Sequence, residues 1–167
     1  MHKFSVEGPL RVPFTQGKAA KMISSAEAGE FWEHQPHLCD RRGCYIFAVR
    51  AGGGLTPTYV GKATKTFRQE VFTADKLAKY QRTLADYLKG TPVLFFIVSE
   101  QKMGKPNLKI IRELEDYLIQ TALSANEKLI NIAGTYRADF LISGVLRSGA
   151  GKPSKAAGDL RKCLKLT

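Results

Sequence analysis

The segment from Gly43 to Gly61 constrains the fold of this chain more than any other part of the sequence. Residues 44–49 read Cys-Tyr-Ile-Phe-Ala-Val, an apolar run rich in β-formers that predicts a strand. The run Ala-Gly-Gly-Gly at 51–54 predicts a flexible turn, and residues 56–60 predict the returning strand. Antiparallel pairing about these glycines is expected to bring Tyr45 and Tyr59 within about one register step of each other.

Helical patterns lie on both sides of this hairpin. Ser24 and Glu27 form the capping pattern of a helix that runs through Trp32, which is expected to pack over the core. Residues 64–72 predict a short helical turn. Residues 76–89 predict a helix that Asp75 caps and whose apolar stripe includes Tyr80.

The second half of the chain predicts one more strand and two more helices. Residues 92–98 are nearly all apolar and indicate a buried central strand. Asn107 is suited to cap a long helix over residues 108–125, and Ser154 to cap a short one that ends near Leu164.

Glu115 falls at the rim of the apolar face of the 108–125 helix. The apolar residues cluster on one side of this helix at steps of about 100° per residue, and Glu115 lies beside Ile111 and Ala122. Glu113 and Asp116 point the other way. A carboxylate at the edge of a buried face needs a cation, a hydrogen-bond donor or a metal ion. A salt bridge to a nearby lysine is the simplest such partner.

The charge of the chain points to a polyanionic partner. Its 167 residues carry 26 Lys and Arg against 15 Asp and Glu, a formal net charge of +11. Such a balance favours nucleic acid, because each cation placed on a phosphate releases counterions; a basic surface that only aids solubility is the alternative. No apolar run is long enough to span a membrane. The first five residues lack the apolar core of a signal peptide, so a cytoplasmic location is expected.

Two tripeptides, Gly43-Cys44-Tyr45 and Tyr59-Val60-Gly61, are followed in order by Arg68, Glu115 and Asn131. In this order they resemble the GIY-YIG nuclease family, although Cys44 stands where the family usually has Ile. The resemblance covers residues 43–131. It implies an α/β fold in which a small three-stranded, mainly antiparallel sheet is flanked by helices. Residues 1–42 would then be an extension packed on this core, and residues 132–167 a basic C-terminal extension.

The resemblance also implies a chemistry, the metal-dependent hydrolysis of phosphodiester bonds in DNA. Glu115 would be the ligand of one divalent ion, Mg²⁺ or another such as Mn²⁺. Tyr45 or Tyr59 would activate water, and Arg68 would stabilise the transition-state charge. Supporting roles fall to Gly43, Gly61, Lys62, Tyr80 and Asn131.

Basic residues outside the motif are candidates to hold the nucleic-acid backbone. They lie on the predicted 76–89 helix and in the C-terminal segment: Lys76, Lys79, Arg82, Lys152, Lys155, Arg161 and Lys162.

Other readings remain open. Phe72 stands where many relatives carry a Tyr or His that relays a proton, which leaves room for a nucleic-acid-binding module on a catalytically degenerate fold. A basic protein-interaction domain is a third class. A further cluster comprises potential zinc ligands within eleven residues, although its spacing matches no common zinc motif: His34, His37, Cys39 and Cys44.

Overall fold

A computed structural model describes residues 2–101, 106–131 and 154–164 of the chain. The chain divides into two compact units, residues 1–134 and 135–167. The strands of the first unit are, in chain order, β1 (Phe4–Arg11), β2 (Thr15–Gln16), β3 (Lys21–Met22), β4 (Gly43–Ala51), β5 (Gly54–Ala63) and β6 (Thr91–Ser99). Its helices are α1 (Ser25–His34), α2 (Phe67–Glu70), α3 (Ala74–Asp86) and α4 (Leu108–Ala125). In the second unit the described residues form α5 (Lys155–Cys163), which Ser154 caps as predicted.

The central sheet has four antiparallel strands in the order β1-β6-β4-β5, and β2 and β3 form a separate two-stranded pair. The α/β class and the antiparallel pairing are confirmed. The expectation of three strands is wrong, because β1 of the supposed N-terminal extension pairs with β6, from Phe4 opposite Ser99 to Arg11 opposite Val93. Gly8-Pro9 interrupts the period-two pattern of this strand and produces an irregularity between Glu7 and Leu10, which hid the strand from sequence reasoning.

The predicted helices are present, with small differences in their ends. Ser24 and Glu27 form a capping box at the start of α1, and Trp32 is buried in the core. Helix α3 begins at Ala74 and ends at Asp86, two to three residues before the predicted ends. The Asp75 side chain pairs with Lys76 and Lys79 instead of capping the helix. None of the helices in the described ranges is long and apolar enough to cross a membrane.

The hairpin β4–β5 separates two apolar cores, because successive strand residues point to opposite faces of a sheet. One face packs with α1, α2 and α3 around a core that includes Phe31, Tyr45, Tyr80 and Phe96. The other face packs against α4 through two clusters, which include Cys44, Val60, Ile111 and Ile119. We call these the α3 face and the α4 face. This division decides which candidate side chains can meet.

Candidate active site

Lys62 and Glu115 form an ion pair on the α4 face. Lys62 Nζ donates a hydrogen bond to Glu115 Oε2. The two side chains are 34% and 13% exposed, so the pair lies at the rim of the core with access to solvent. Glu115 therefore has the cationic partner that its position on the helix demands, and the lysine next to the second tripeptide supplies it.

Cys44 is a buried neighbour of the Lys62–Glu115 pair. It sits opposite Lys62 in the β4–β5 register, and its thiol contacts the carbonyl oxygen of Ile111 on α4 at 3.4 Å. Burial, reinforced by the negative charge of Glu115, raises the pKa of Cys44 to about 12. The thiol is therefore protonated at neutral pH and donates a weak hydrogen bond to the Ile111 carbonyl oxygen.

Arg68 lies on α2, directly after the loop that follows β5. The backbone N–H of Arg68 donates to the carbonyl oxygen of Cys39 at 3.2 Å, and that of Phe67 donates to Arg41 at 2.8 Å. These bonds fix α2 against the segment that leads into β4. The Arg68 side chain is exposed and has no hydrogen bond or ion pair with any described residue. Its guanidinium is therefore available to a ligand.

Glu70 organises this loop, and sequence reasoning missed it. Its Oε1 accepts hydrogen bonds from the backbone N–H of Thr64 at 2.9 Å and of Lys65 at 2.6 Å, and from the Thr64 hydroxyl at 3.1 Å. One carboxylate oxygen thus holds the connection between Lys62 and Arg68. The available signal was an acidic residue six positions after a polar turn, which is too common in sequences to single out.

Asn131 completes the outer edge of β5. Its Oδ1 accepts the Val60 N–H at 2.8 Å, and its Nδ2 donates to the Val60 carbonyl oxygen at 2.7 Å. Ile130 adds a backbone bond to the carbonyl of Thr58 at 2.9 Å. The backbone groups that an edge strand would leave unpaired are thereby satisfied in the middle of the second tripeptide.

The tyrosines form a cluster on the α3 face. Tyr45 lies opposite Gly61 and Tyr59 opposite Phe47, and the Tyr45 and Tyr59 ring centroids are 6.2 Å apart, which confirms their predicted proximity. The Tyr80 hydroxyl donates to the carbonyl oxygen of Val71 at 2.8 Å. Both Tyr45 and Tyr80 are fully buried, whereas Tyr59 retains 5% exposure.

Burial makes the Tyr45 phenol a weak acid. Its hydroxyl has no hydrogen-bond partner of good geometry among the described residues. Burial, and next the nearby hydroxyls of Tyr80 and Tyr59, raise the pKa of Tyr45 well above its ordinary value. Burial raises the pKa of Tyr80 in the same way. A phenolate at either position is strongly disfavoured at neutral pH.

The two motif glycines are required by close packing. A Cβ at position 61 would lie 2.9 Å from Tyr45 Cε1 and closer still to the phenol end of the ring, so the ring lies directly over Gly61. Gly43 has φ +146°, and a Cβ there would run into the carbonyl group of Ile97 on β6. Both glycines let the backbone of the hairpin approach neighbours that a side chain would exclude.

Two of the predicted backbone-binding lysines lie against Tyr59. Lys76 Nζ and Lys79 Nζ on α3 are 5.2 Å and 5.3 Å from the centroid of the Tyr59 ring. Arg82, three residues further along α3, is exposed. On α5, Lys155 and Lys162 are exposed and Arg161 is half-buried, and Lys152 lies outside the described residues.

The four potential zinc ligands go to separate partners. His34 contacts the carbonyl oxygen of Glu30, and His37 pairs with Glu7 at 2.6 Å. The Cys39 thiol contacts the carbonyl oxygen of Gln35 at 3.9 Å, and the Cys44 thiol contacts that of Ile111. The described part of the chain contains no group of three or more His, Cys, Asp or Glu side chains placed to hold a metal ion.

The candidate residues therefore form two groups. Lys62 and Glu115 meet on the α4 face, and Arg68 lies just beyond the end of β5. Tyr45, Tyr59 and Tyr80 meet on the α3 face. The structure does not bring a tyrosine hydroxyl to Glu115. The chain matches no protein-family model, no curated protein and no solved structure.

Proposed function

We propose that this chain is a metal-dependent endonuclease that hydrolyses phosphodiester bonds in DNA. One observation carries the proposal: the Lys62–Glu115 pair, which holds a carboxylate with access to solvent beside a cation, at the end of β5 from which the chain continues to Arg68. A net charge of +11 supports a polyanionic substrate.

Glu115 fits a hydrated divalent ion. Its Oε2 accepts from Lys62, while its Oε1 has no hydrogen-bond partner among the described residues. Magnesium in phosphate-processing sites is commonly held by one or two carboxylates, together with water and substrate phosphate. A single free carboxylate oxygen is enough for that kind of binding. When bound, the ion would polarise the phosphate and lower the pKa of a coordinated water.

The chain's own cations would stabilise the charge that develops on the phosphate. Lys62 Nζ orients Glu115 and has further N–H donors for a phosphate oxygen. The Arg68 guanidinium can fork onto two phosphate oxygens and stays charged at any working pH. Glu70 positions the loop between them, so the two cations are held by one short connection.

No proton transfer is assigned to the tyrosines in this proposal. Tyr45 is buried and its pKa is raised, and Tyr59 lies on the face opposite Glu115. Tyr45 instead packs over Gly61, and Tyr59 contacts the lysines of α3. Cleavage by the Tyr45→Phe variant tests the phenol base that the family resemblance implies.

The test is cleavage of supercoiled plasmid and of labelled duplex, branched and single-stranded DNA, with Mg²⁺ and with a chelator. Glu115→Gln keeps the size of the side chain and removes its charge, and we expect it to abolish Mg²⁺-dependent cleavage without loss of the fold. Asp116→Asn is the matched control, because Asp116 is the adjacent, exposed carboxylate of the same helix. Cleavage by Glu115→Gln at the parent rate would remove the assignment.

The second candidate is a nucleic-acid-binding module on a catalytically degenerate fold. Phe72 favours it, because its ring packs edge-to-face on Phe31 at 5.4 Å and on Trp32 at 5.7 Å and so belongs to the core. This candidate predicts DNA binding with a steep salt dependence and no cleavage with any divalent ion. A basic protein-interaction domain, the third class, predicts neither salt-dependent DNA binding nor cleavage.

A further inference from the structure

Two lysines of α3 contact the ring of Tyr59 on β5, and this contact has no part in the site at Glu115. Lys76 and Lys79 are only 22% and 29% exposed, although lysine side chains usually extend into water. Both ammonium groups lie within 5.3 Å of the centroid of the Tyr59 ring, at cation–π distance. The ring thus holds two like charges in a defined place.

A single carboxylate oxygen joins these two cations. Asp75 Oδ2 is 2.8 Å from Lys79 Nζ and 3.4 Å from Lys76 Nζ. The two ammonium groups are therefore close enough for one oxyanion to contact both. Asp75 itself is largely exposed, so an anion from solution can take its place without unfolding the helix.

The charge state of the pair also favours an anion. Burial acts to lower the pKa of Lys76, but the Tyr59 hydroxyl and the Asp75 carboxylate outweigh it, so the pKa of Lys76 is raised. Lys76 therefore stays protonated well above neutral pH, despite being half-buried. Two positive charges whose shared carboxylate is largely exposed suit a phosphate dianion or diester that displaces this carboxylate.

We propose that Lys76, Lys79 and the ring of Tyr59 form a phosphate-binding site on the α3 face, which takes a backbone phosphate of the nucleic acid away from the bond that is cut. Asp75 occupies this site as a counter-ion in the free protein. Arg82, one helical turn further on, extends the basic surface of α3. The proposal rests on the proposed function for the identity of the ligand, but the site itself is tested separately from cleavage.

The first experiment measures binding of a labelled oligonucleotide over a range of salt concentrations. Lys76→Gln and Lys79→Gln should each weaken binding on every sequence and reduce the slope of log affinity against log salt by about one. Lys89→Gln is the matched control, since Lys89 is exposed and has no cation–π contact with a ring in the described part of the chain. If both α3 variants bind like the Lys89 variant, the site does not hold a phosphate.

Two substitutions at Tyr59 separate the ring from its hydroxyl. Tyr59→Phe keeps the aromatic face beneath the lysines and should retain affinity and slope, whereas Tyr59→Leu should lose both to the extent of the lysine variants. Asp75→Asn removes the competing anion and should tighten binding several-fold. An unchanged or weaker affinity for Asp75→Asn would overturn the counter-ion role.

The second experiment uses inorganic phosphate with the full chain, followed by backbone amide NMR. Shifts at residues 75–80 that saturate in the parent and vanish in the Lys76→Gln/Lys79→Gln double variant support the site. No shift at these residues overturns it. A chain that binds phosphate here but cuts no DNA would disprove the nuclease and leave this site intact, and a chain that cuts DNA without these shifts would do the reverse.

Discussion

The side chain of Asn131 forms two hydrogen bonds with the backbone of Val60 at the outer edge of the sheet. Its side-chain amide accepts the Val60 N–H at 2.8 Å and donates to the Val60 carbonyl oxygen at 2.7 Å. Val60 lies opposite Ile46 on β4, and no strand of the described residues pairs with the other edge of β5. A side chain therefore substitutes for a fifth strand at the centre of the second tripeptide.

Replacing Asn131 should destabilise the fold more than its partial exposure implies. Asn131→Ala leaves both backbone groups of Val60 without a partner, and we expect a loss of about 1–3 kcal/mol in the free energy of unfolding. Asn131→Asp keeps the acceptor and loses the donor, so its free energy of unfolding should lie between those of the parent and of Asn131→Ala. Chemical denaturation measures both, and equal stability of all three proteins would contradict this bracing role.

Gly61→Ala should be destabilising because Tyr45 fills the space above Gly61. The added Cβ would overlap the phenol ring of a buried residue, and overpacking of this kind costs about 1–3 kcal/mol. Gly29→Ala is the control, since a Cβ there meets nothing within 4 Å on helix α1 and should stabilise by about 1 kcal/mol. In thermal unfolding we expect a lower melting temperature for Gly61→Ala and a higher one for Gly29→Ala.

Tyr45→Phe separates a packing role from a chemical one. The Tyr45 hydroxyl is buried without a well-aligned partner, so its removal should leave the stability unchanged or raise it by about 1 kcal/mol. Tyr80→Phe, by contrast, removes the bond to Val71 and should cost about 1 kcal/mol. We expect Tyr45→Phe to cleave DNA near the parent rate. A loss of about 10²-fold would show that this phenol takes part in catalysis, as the family resemblance implies.

Arg68→Lys should impair cleavage without affecting the fold. The substitution keeps the charge but loses the planar fork, and the loss of one transition-state donor costs about 10²-fold or more. Because the Arg68 side chain has no partner among the described residues, its thermal unfolding should match the parent. Arg50→Lys is the matched control, because Arg50 is an exposed arginine near the end of β4 that has no part in either proposed site. Equal cleavage by the two variants would remove Arg68 from the site.

Much of the local structure could be predicted from the sequence. The hairpin β4–β5, the capping box of α1, the short turn at α2 and the helix that carries Glu115 follow from patterns within about twenty residues of each other. The rim position of Glu115 was also readable, because helical periodicity alone places it beside Ile111. The sequence by itself therefore determined the elements, the basic charge and the facing pattern of each element.

Only the tertiary structure decided how these elements meet. In the folded chain β1 pairs with β6, although Gly8-Pro9 breaks the period-two pattern of that strand. Lys62 pairs with Glu115, which is 53 residues away, and Tyr45 lies on the face of the sheet opposite this pair. A hairpin fixes which side chains share a face, but not which helix covers that face. That choice depends on long-range packing, and it separates the tyrosines from the carboxylate in this protein.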